Sequence, residues 1–162
     1  MFEISEIRID GLTENIVTDS AKPLFSVKAR SDRQNNTATA WQLMVSYGEE
    51  TVWDSGKHEE AFTPHIPYAG GPLLPETDYI ATARLWNTAG ETAERQTVFR
   101  TGLLGRPWTG EWITHPTFSF EKKENPPAFV FLKHILLRKS VRSAYIYATA
   151  LGVYTLQANG TD

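Results

Sequence analysis

The strongest constraint on this chain is where its apolar residues fall. Trp41, Leu43, Val45 and Tyr47 stand at every second position, separated by Gln42, Met44 and Ser46. Tyr79, Ala81, Ala83 and Leu85 repeat the pattern around Thr82 and Arg84. A period of two marks a strand with one buried face, because successive side chains of an extended backbone point to opposite sides. Turn signals punctuate these runs at Asp10-Gly11, Tyr47-Gly48, Ser55-Gly56, Ala69-Gly70-Gly71-Pro72 and Ala89-Gly90. No stretch combines a 3.6-residue period with an N-cap and the length of a long helix, so the pattern predicts an all-β chain.

Strands are predicted near 3–9, 23–29, 38–47, 50–54, 61–66, 78–87 and 94–101. Short strands at such regular spacing are the signature of an immunoglobulin-like antiparallel sandwich. Gly102, Gly105, Pro107, Gly110 and Pro116 then break the rhythm, and the polar run Glu121-Lys122-Lys123-Glu124-Asn125-Pro126-Pro127 follows. The expected organisation is therefore a first domain over 1–103 and a connector over 104–127. Trp108, Trp112, Ile113, Phe118 and Phe120 are the connector's apolar anchors. Two further strands are predicted at 128–138 and 141–158, ahead of the hairpin-turn dipeptide Asn159-Gly160. Residues 128–162 read as the beginning of a second β-sandwich, incomplete here, since two or three strands cannot hide both faces of so apolar a sheet.

Composition bounds the chemistry. Hydrophobic residues make up 41% and charged residues 22%, enough to support a packed core. The absence of cysteine removes disulfides, thiolate metal sites and cysteine nucleophiles together. A net charge of −3 argues against a nucleic-acid footprint. No apolar run approaches the roughly 20 residues that span a bilayer as a helix, so no membrane partner is expected. Met1-Phe2-Glu3-Ile4-Ser5-Glu6 carries acids where a signal peptide needs a basic start, which points to a cytoplasmic location.

Leu73, Pro75, Thr77 and Tyr79, followed by Ile80–Trp86, Asn87, Gly90 and Phe99-Arg100-Thr101-Gly102, resemble the end of a fibronectin type III domain with its tyrosine corner. In that reading Leu73, Pro75 and Tyr79 are structural residues. Pro75 restricts the approach and the Tyr79 hydroxyl bonds back to upstream backbone. Further segments occur in one order: Pro23-Leu24-Phe25-Ser26, Trp53-Asp54-Ser55-Gly56-Lys57, Tyr68-Ala69-Gly70 with Pro72-Leu73, Thr101-Gly102-Leu103-Leu104, Trp108-Thr109-Gly110-Glu111-Trp112-Ile113, and Ala150-Leu151-Gly152-Val153-Tyr154 with Asn159-Gly160. Together they resemble the amino-terminal portion of bacterial α-L-rhamnosidases of glycoside hydrolase family 78. Val27 stands where such proteins often have Trp, and Lys133-His134 replaces a more usual Arg-Lys pair.

The resemblance implies a non-catalytic, scaffolding amino-terminal region. Its partner would be a catalytic barrel further along the same polypeptide, hydrolysing terminal α-L-rhamnose with inversion. A carbohydrate-binding module and a generic fibronectin-type protein-interaction domain are the alternatives.

No catalytic, cofactor or metal residues are assigned. An inverting glycosidase needs two carboxylates about 6.5–9.5 Å apart, and the resemblance puts them in the barrel. Glu49-Glu50 and Glu59-Glu60 flank turns and read as solvated loop charge, while Asp54 suits a local backbone turn. His58, His65, His115 and His134 show no metal-ligand spacing. Gly70-Gly71 precedes Pro72 rather than a helix start, so it is a turn and not a phosphate cradle. Aromatic faces stack on sugar rings, which makes Trp53, Trp86, Trp108 and Tyr154 carbohydrate-binding candidates; core packing is the competing role. Finally, the dense apolar content of 128–158 predicts self-association through that segment.

Overall fold

The computed structural model describes residues 1–116 and 128–160. The chain divides into two compact units, Met1–Glu111 and Trp112–Asp162. The connector residues Phe118 and Phe120 and the polar run 121–127 lie outside the described residues.

The first unit is an immunoglobulin-like sandwich of two sheets with no helix among its residues. Its elements are β1 (Phe2–Ile9), β2 (Val17–Thr18), β3 (Leu24–Ser31), β4 (Ala38–Tyr47), β5 (Glu50–Asp54), β6 (Ile66–Pro67), β7 (Asp78–Asn87) and β8 (Thr92–Thr101). One sheet has the order β1-β3-β6 and the other β2-β8-β7-β4-β5. All pairings are antiparallel except β2 with β8, where Val17 and Thr18 run alongside Arg100 and Thr101. That parallel pair, only two residues long, has no period for a sequence pattern to reveal.

The alternation of β4 and β7 does what its period demands except at Tyr47, which ends β4 and is exposed. Trp41 pairs with Leu85, Leu43 with Ala83 and Val45 with Ala81, and all six side chains are buried. Ile4, Ile7, Ile9 and Phe25 meet them from the facing sheet. Phe25 packs edge-on to Phe99 with ring centroids 6.1 Å apart, and Phe99 stacks on Tyr79 at 5.5 Å. Small alanines on β7 leave room for these rings, so large and small side chains interdigitate. A bulge between Ile4 and Glu6 interrupts β1. Arg95 on β8 reaches it, donating from Nη1 to the carbonyls of Ile4 (3.2 Å) and Ser5 (2.9 Å).

Residues 61–66 do not form the strand their position predicts; only Ile66–Pro67 pair, with Phe25 and Leu24. The reason lies in Pro64-His65-Ile66-Pro67. Neither proline has an N–H to give to a ladder. His65 sits at φ +67°, outside the extended region, and its N–H goes to the Ser26 hydroxyl at 3.1 Å instead of to a strand.

In the second unit, residues 128–160 contain no strand, where the apolar pattern predicts strands at 128–138 and 141–158. Val130 is 91% exposed, and Leu132, Leu136 and Val153 are also exposed. Alternation specifies a face to be covered but not a partner, and a strand exists only through the ladder its neighbour supplies. The turn at Asn159-Gly160 does form. Both residues have positive φ, +54° and +80°, as a two-residue hairpin turn requires.

Candidate functional site

The aromatic candidates are distributed rather than gathered. Trp53 on β5 is half-buried and touches two rings, Phe25 at 5.9 Å and Tyr68 at 5.2 Å. Its surface serves the core. Trp86 on β7 is half-buried and lies under the Lys57 ammonium, which stands 4.8 Å from its ring centroid and occupies a face that a sugar would need. Trp108, 52% exposed, belongs to the first unit and Tyr154, 51% exposed, to the second. Tyr154 donates its hydroxyl proton to the Ala148 carbonyl at 3.1 Å.

The corner before β7 is held by a compact set of bonds. Tyr79 is buried, and its hydroxyl accepts from the Leu74 N–H at 2.8 Å. Leu73 is buried beside it, and the Pro75 carbonyl accepts from the Thr77 hydroxyl at 2.8 Å. From β8, the fully buried Thr101 hydroxyl donates to the Leu74 carbonyl at 2.6 Å and accepts from the Thr77 N–H at 3.0 Å. Each polar group that the corner removes from water thus finds a partner. Tyr68, by contrast, has a buried hydroxyl with no partner among the described residues. Burial, and after it the neighbouring Tyr79, pushes its phenol above the ordinary tyrosine value.

Asp54 and His58 are tied to local structure. Asp54 accepts from the Gly56 N–H at 2.8 Å and from the Gln42 amide at 2.7 Å, closing the turn after β5. Glu49, Glu50, Glu59 and Glu60 are exposed. His58 stacks on Trp41 with centroids 4.0 Å apart. Among the described residues, no group of three metal-ligating side chains could hold an ion.

A feature that the sequence pattern does not announce is an open cleft of about 340 Å³ on the flank of the sandwich. Val27, Ala29, Ala38, Phe62 and Leu85 form its apolar walls, with Arg30, Ser31, Asn36 and Thr37 at the rim. It opens beside β3, which from Ser26 to Ser31 is paired to β1 alone. The one sequence signal for it is the Pro-x-x-Pro run at Pro64–Pro67, which denies β3 a full-length neighbour.

The family model for the Rha78A-like, N-terminal immunoglobulin domain matches residues 4–105. Among curated proteins, an alpha-L-rhamnosidase of Streptomyces avermitilis is 33% identical over 106 residues, covering 60% of this chain and 10% of its own length. One of Formosa agariphila is 27% identical over 157 residues, covering 88% of this chain and 17% of its own. Among solved structures, the Streptomyces avermitilis alpha-L-rhamnosidase complexed with L-rhamnose superposes with a TM-score of 0.65 at 27% identity, over 72% of this chain and 12% of that one. The alpha-L-rhamnosidase from Dictyoglumus thermophilum gives 0.62 at 29% identity, over 70% and 14%. The chain therefore spans only a small part of the relatives it resembles.

Proposed function

This chain belongs, over residues 4–105, to the Rha78A-like N-terminal immunoglobulin domains, and from that premise we propose that it is a non-catalytic scaffolding region of an α-L-rhamnosidase. The observation that carries the reading is how its acids are used. Asp54 closes a turn, Glu91 holds Asn87 and Asn36, and Glu3, Glu6 and Glu94 pair with arginines, so these carboxylates are engaged in local bonds. An inverting hydrolase would instead need two carboxylates facing a water across a sugar-sized gap. In the whole enzyme, hydrolysis of terminal α-L-rhamnose with inversion would fall to a separate catalytic barrel of the same polypeptide. The domain offers such a barrel a rigid, corner-locked body to rest on.

Purified 1–162 is expected to release no L-rhamnose from an aryl rhamnoside. Turnover above a heat-killed control, abolished by substituting an acid of this chain, would overturn the proposal. A second reading, carbohydrate binding, is favoured by the exposed rings of Trp108 and Tyr154. Titration with rhamnose and rhamnosides while following tryptophan fluorescence tests it, and a saturable change lost in Trp108→Ala would support it.

A further inference from the structure

We propose that Asn159-Gly160 is a site of covalent self-modification, where the asparagine cyclises onto the following backbone nitrogen, loses ammonia and becomes an aspartyl or isoaspartyl residue.

The chemistry needs only water. Base removes the Gly160 N–H proton, and the nitrogen attacks Cγ of Asn159. The N–Cγ bond forms, the Cγ–Nδ2 bond breaks, and Nδ2 leaves as ammonia after taking a proton from solvent. Water then opens the cyclic imide at one of its two carbonyls, giving aspartate or isoaspartate. One water is consumed and one ammonia released, with no change of oxidation state. The reaction is favoured by an attacking nitrogen that no side chain crowds, by exposure, and by an amide that hydrogen bonds do not hold in place.

Asn159 meets all of these conditions. Gly160 has no Cβ to crowd the approach. Both residues are exposed, in a turn with φ of +54° and +80°. Among the described residues the Asn159 amide has no hydrogen-bond partner.

The structure holds the competing sites back. Asn87 is buried, its Nδ2 donates to Glu91 at 2.8 Å, and its Oδ1 accepts from the N–H groups of Ala89 (3.1 Å) and Glu91 (2.8 Å). Asn36 donates to the Ser31 hydroxyl at 2.9 Å and to Glu91 at 3.2 Å. Asp10-Gly11 has a similar form, with φ of +50° and +86°. There, however, one carboxylate oxygen accepts from the Leu24 N–H at 2.8 Å and the other from the Thr18 hydroxyl. Asn15 and Asn35 are exposed but precede Ile16 and Asn36, whose side chains crowd the attacking nitrogen. Asn125 precedes Pro126, which has no N–H to lose.

Conversion adds one negative charge. The isoaspartyl product also routes the backbone through Cβ and Cγ, which lengthens it by one atom. A two-residue hairpin turn depends on the backbone angles of both its residues and has no slack for that atom. The modification therefore undoes the turn.

The test incubates the full 162-residue chain at neutral and at mildly alkaline pH, then digests it for mass spectrometry. The free peptide acetyl-Thr-Leu-Gln-Ala-Asn-Gly-Thr-Asp is treated alongside. The fragment spanning Asn159 is expected to be the first to gain the single mass unit that marks the exchange of an amide for an acid. It should also become a methyl acceptor for an isoaspartyl carboxyl methyltransferase supplied with labelled S-adenosylmethionine. Conversion should run faster at the higher pH, because attack requires the deprotonated nitrogen. Gly160→Ala should slow it by about tenfold in the chain and in the free peptide alike, since a Cβ then stands beside that nitrogen. The proposal fails if Asn159 stays intact over a period in which the free peptide converts, or if Asn35, Asn36 or Asn87 converts first. Methyl acceptance that persists in Asn159→Gln would put the isoaspartate elsewhere and overturn it equally.

Discussion

At the scale of single residues, the molecule concentrates its polar obligations at a few buried atoms. Tyr79→Phe removes the acceptor of the Leu74 N–H without changing the ring that stacks on Phe99. The expected cost is about 1–3 kcal/mol, the usual penalty for stranding a buried partner. Urea denaturation followed by tryptophan fluorescence measures it, and an unchanged midpoint would show the bond to be inconsequential. This corner is legible in the sequence, because Tyr79, Pro75 and Leu73 sit at fixed offsets ahead of an alternating strand. The role of Glu91 is not. It accepts from the Asn87 amide at 2.8 Å and the Asn36 amide at 3.2 Å, and those two bonds, Asn87 first, lower its pKa from the ordinary glutamate value. Asn36 lies 55 residues away, a contact that no local pattern announces. A carboxyl depressed by folding contributes stability above its unfolded pKa and loses it as pH falls through the folded one. Glu91→Gln should therefore flatten the acid limb of a melting-temperature profile, and an unaltered acid limb would contradict this.

At the scale of elements, the predicted strands that formed are those whose inward side chains meet a facing sheet. β4 and β7 keep the alternation through Trp41–Val45 and Tyr79–Leu85, with Thr82 also buried, since each has neighbours on both edges and a core on one face. At 61–66 the prediction failed because backbone chemistry outranked side-chain pattern. The run ending at Ile66–Pro67 is apolar enough for a strand, but its prolines and the left-handed His65 leave just two paired residues. The cleft escapes the sequence pattern for the same reason, being the space which that missing strand does not fill. The turn after β6 is built tightly. A Cβ added at Gly70 would stand 2.4 Å from the Tyr68 hydroxyl oxygen and 2.6 Å from the Trp53 Cβ, so Gly70→Ala must displace one of them. Overpacking of this kind costs about 1–3 kcal/mol. Chemical denaturation should show that loss together with altered near-ultraviolet signals from Trp53 and Tyr68. A variant as stable as the parent would mean the turn relaxes freely.

At the scale of the whole molecule, the two units differ in how their apolar residues are used. The first buries them between sheets, whereas the second exposes Val130, Leu132, Ile135, Leu136, Leu151 and Val153. Contiguous exposed apolar surface drives association, so 1–162 is expected to self-associate at micromolar concentration while a chain ending near Gly102 stays monomeric. Light scattering on both would check this, and two monomers would count against it. The short parallel pair of β2 and β8 has a consequence of a mechanical kind. Where β8 leaves the sandwich, the Arg100 N–H donates to the Ile16 carbonyl at 2.9 Å and the Gly102 N–H to the Thr18 carbonyl at 2.7 Å. Just beyond, the Leu104 N–H is held by the Asp19 carboxylate at 2.6 Å. These bonds lie across the direction in which the chain departs, so tension on the outgoing polypeptide shears them together instead of peeling them one by one. On the strand's other side the Thr101 N–H is bonded to the Thr77 carbonyl at 3.0 Å, and the Gly102 carbonyl accepts from the Glu76 N–H at 2.8 Å. A pull from that side would therefore be shared between the clasp at the chain's sixteenth to nineteenth residues and the corner before β7.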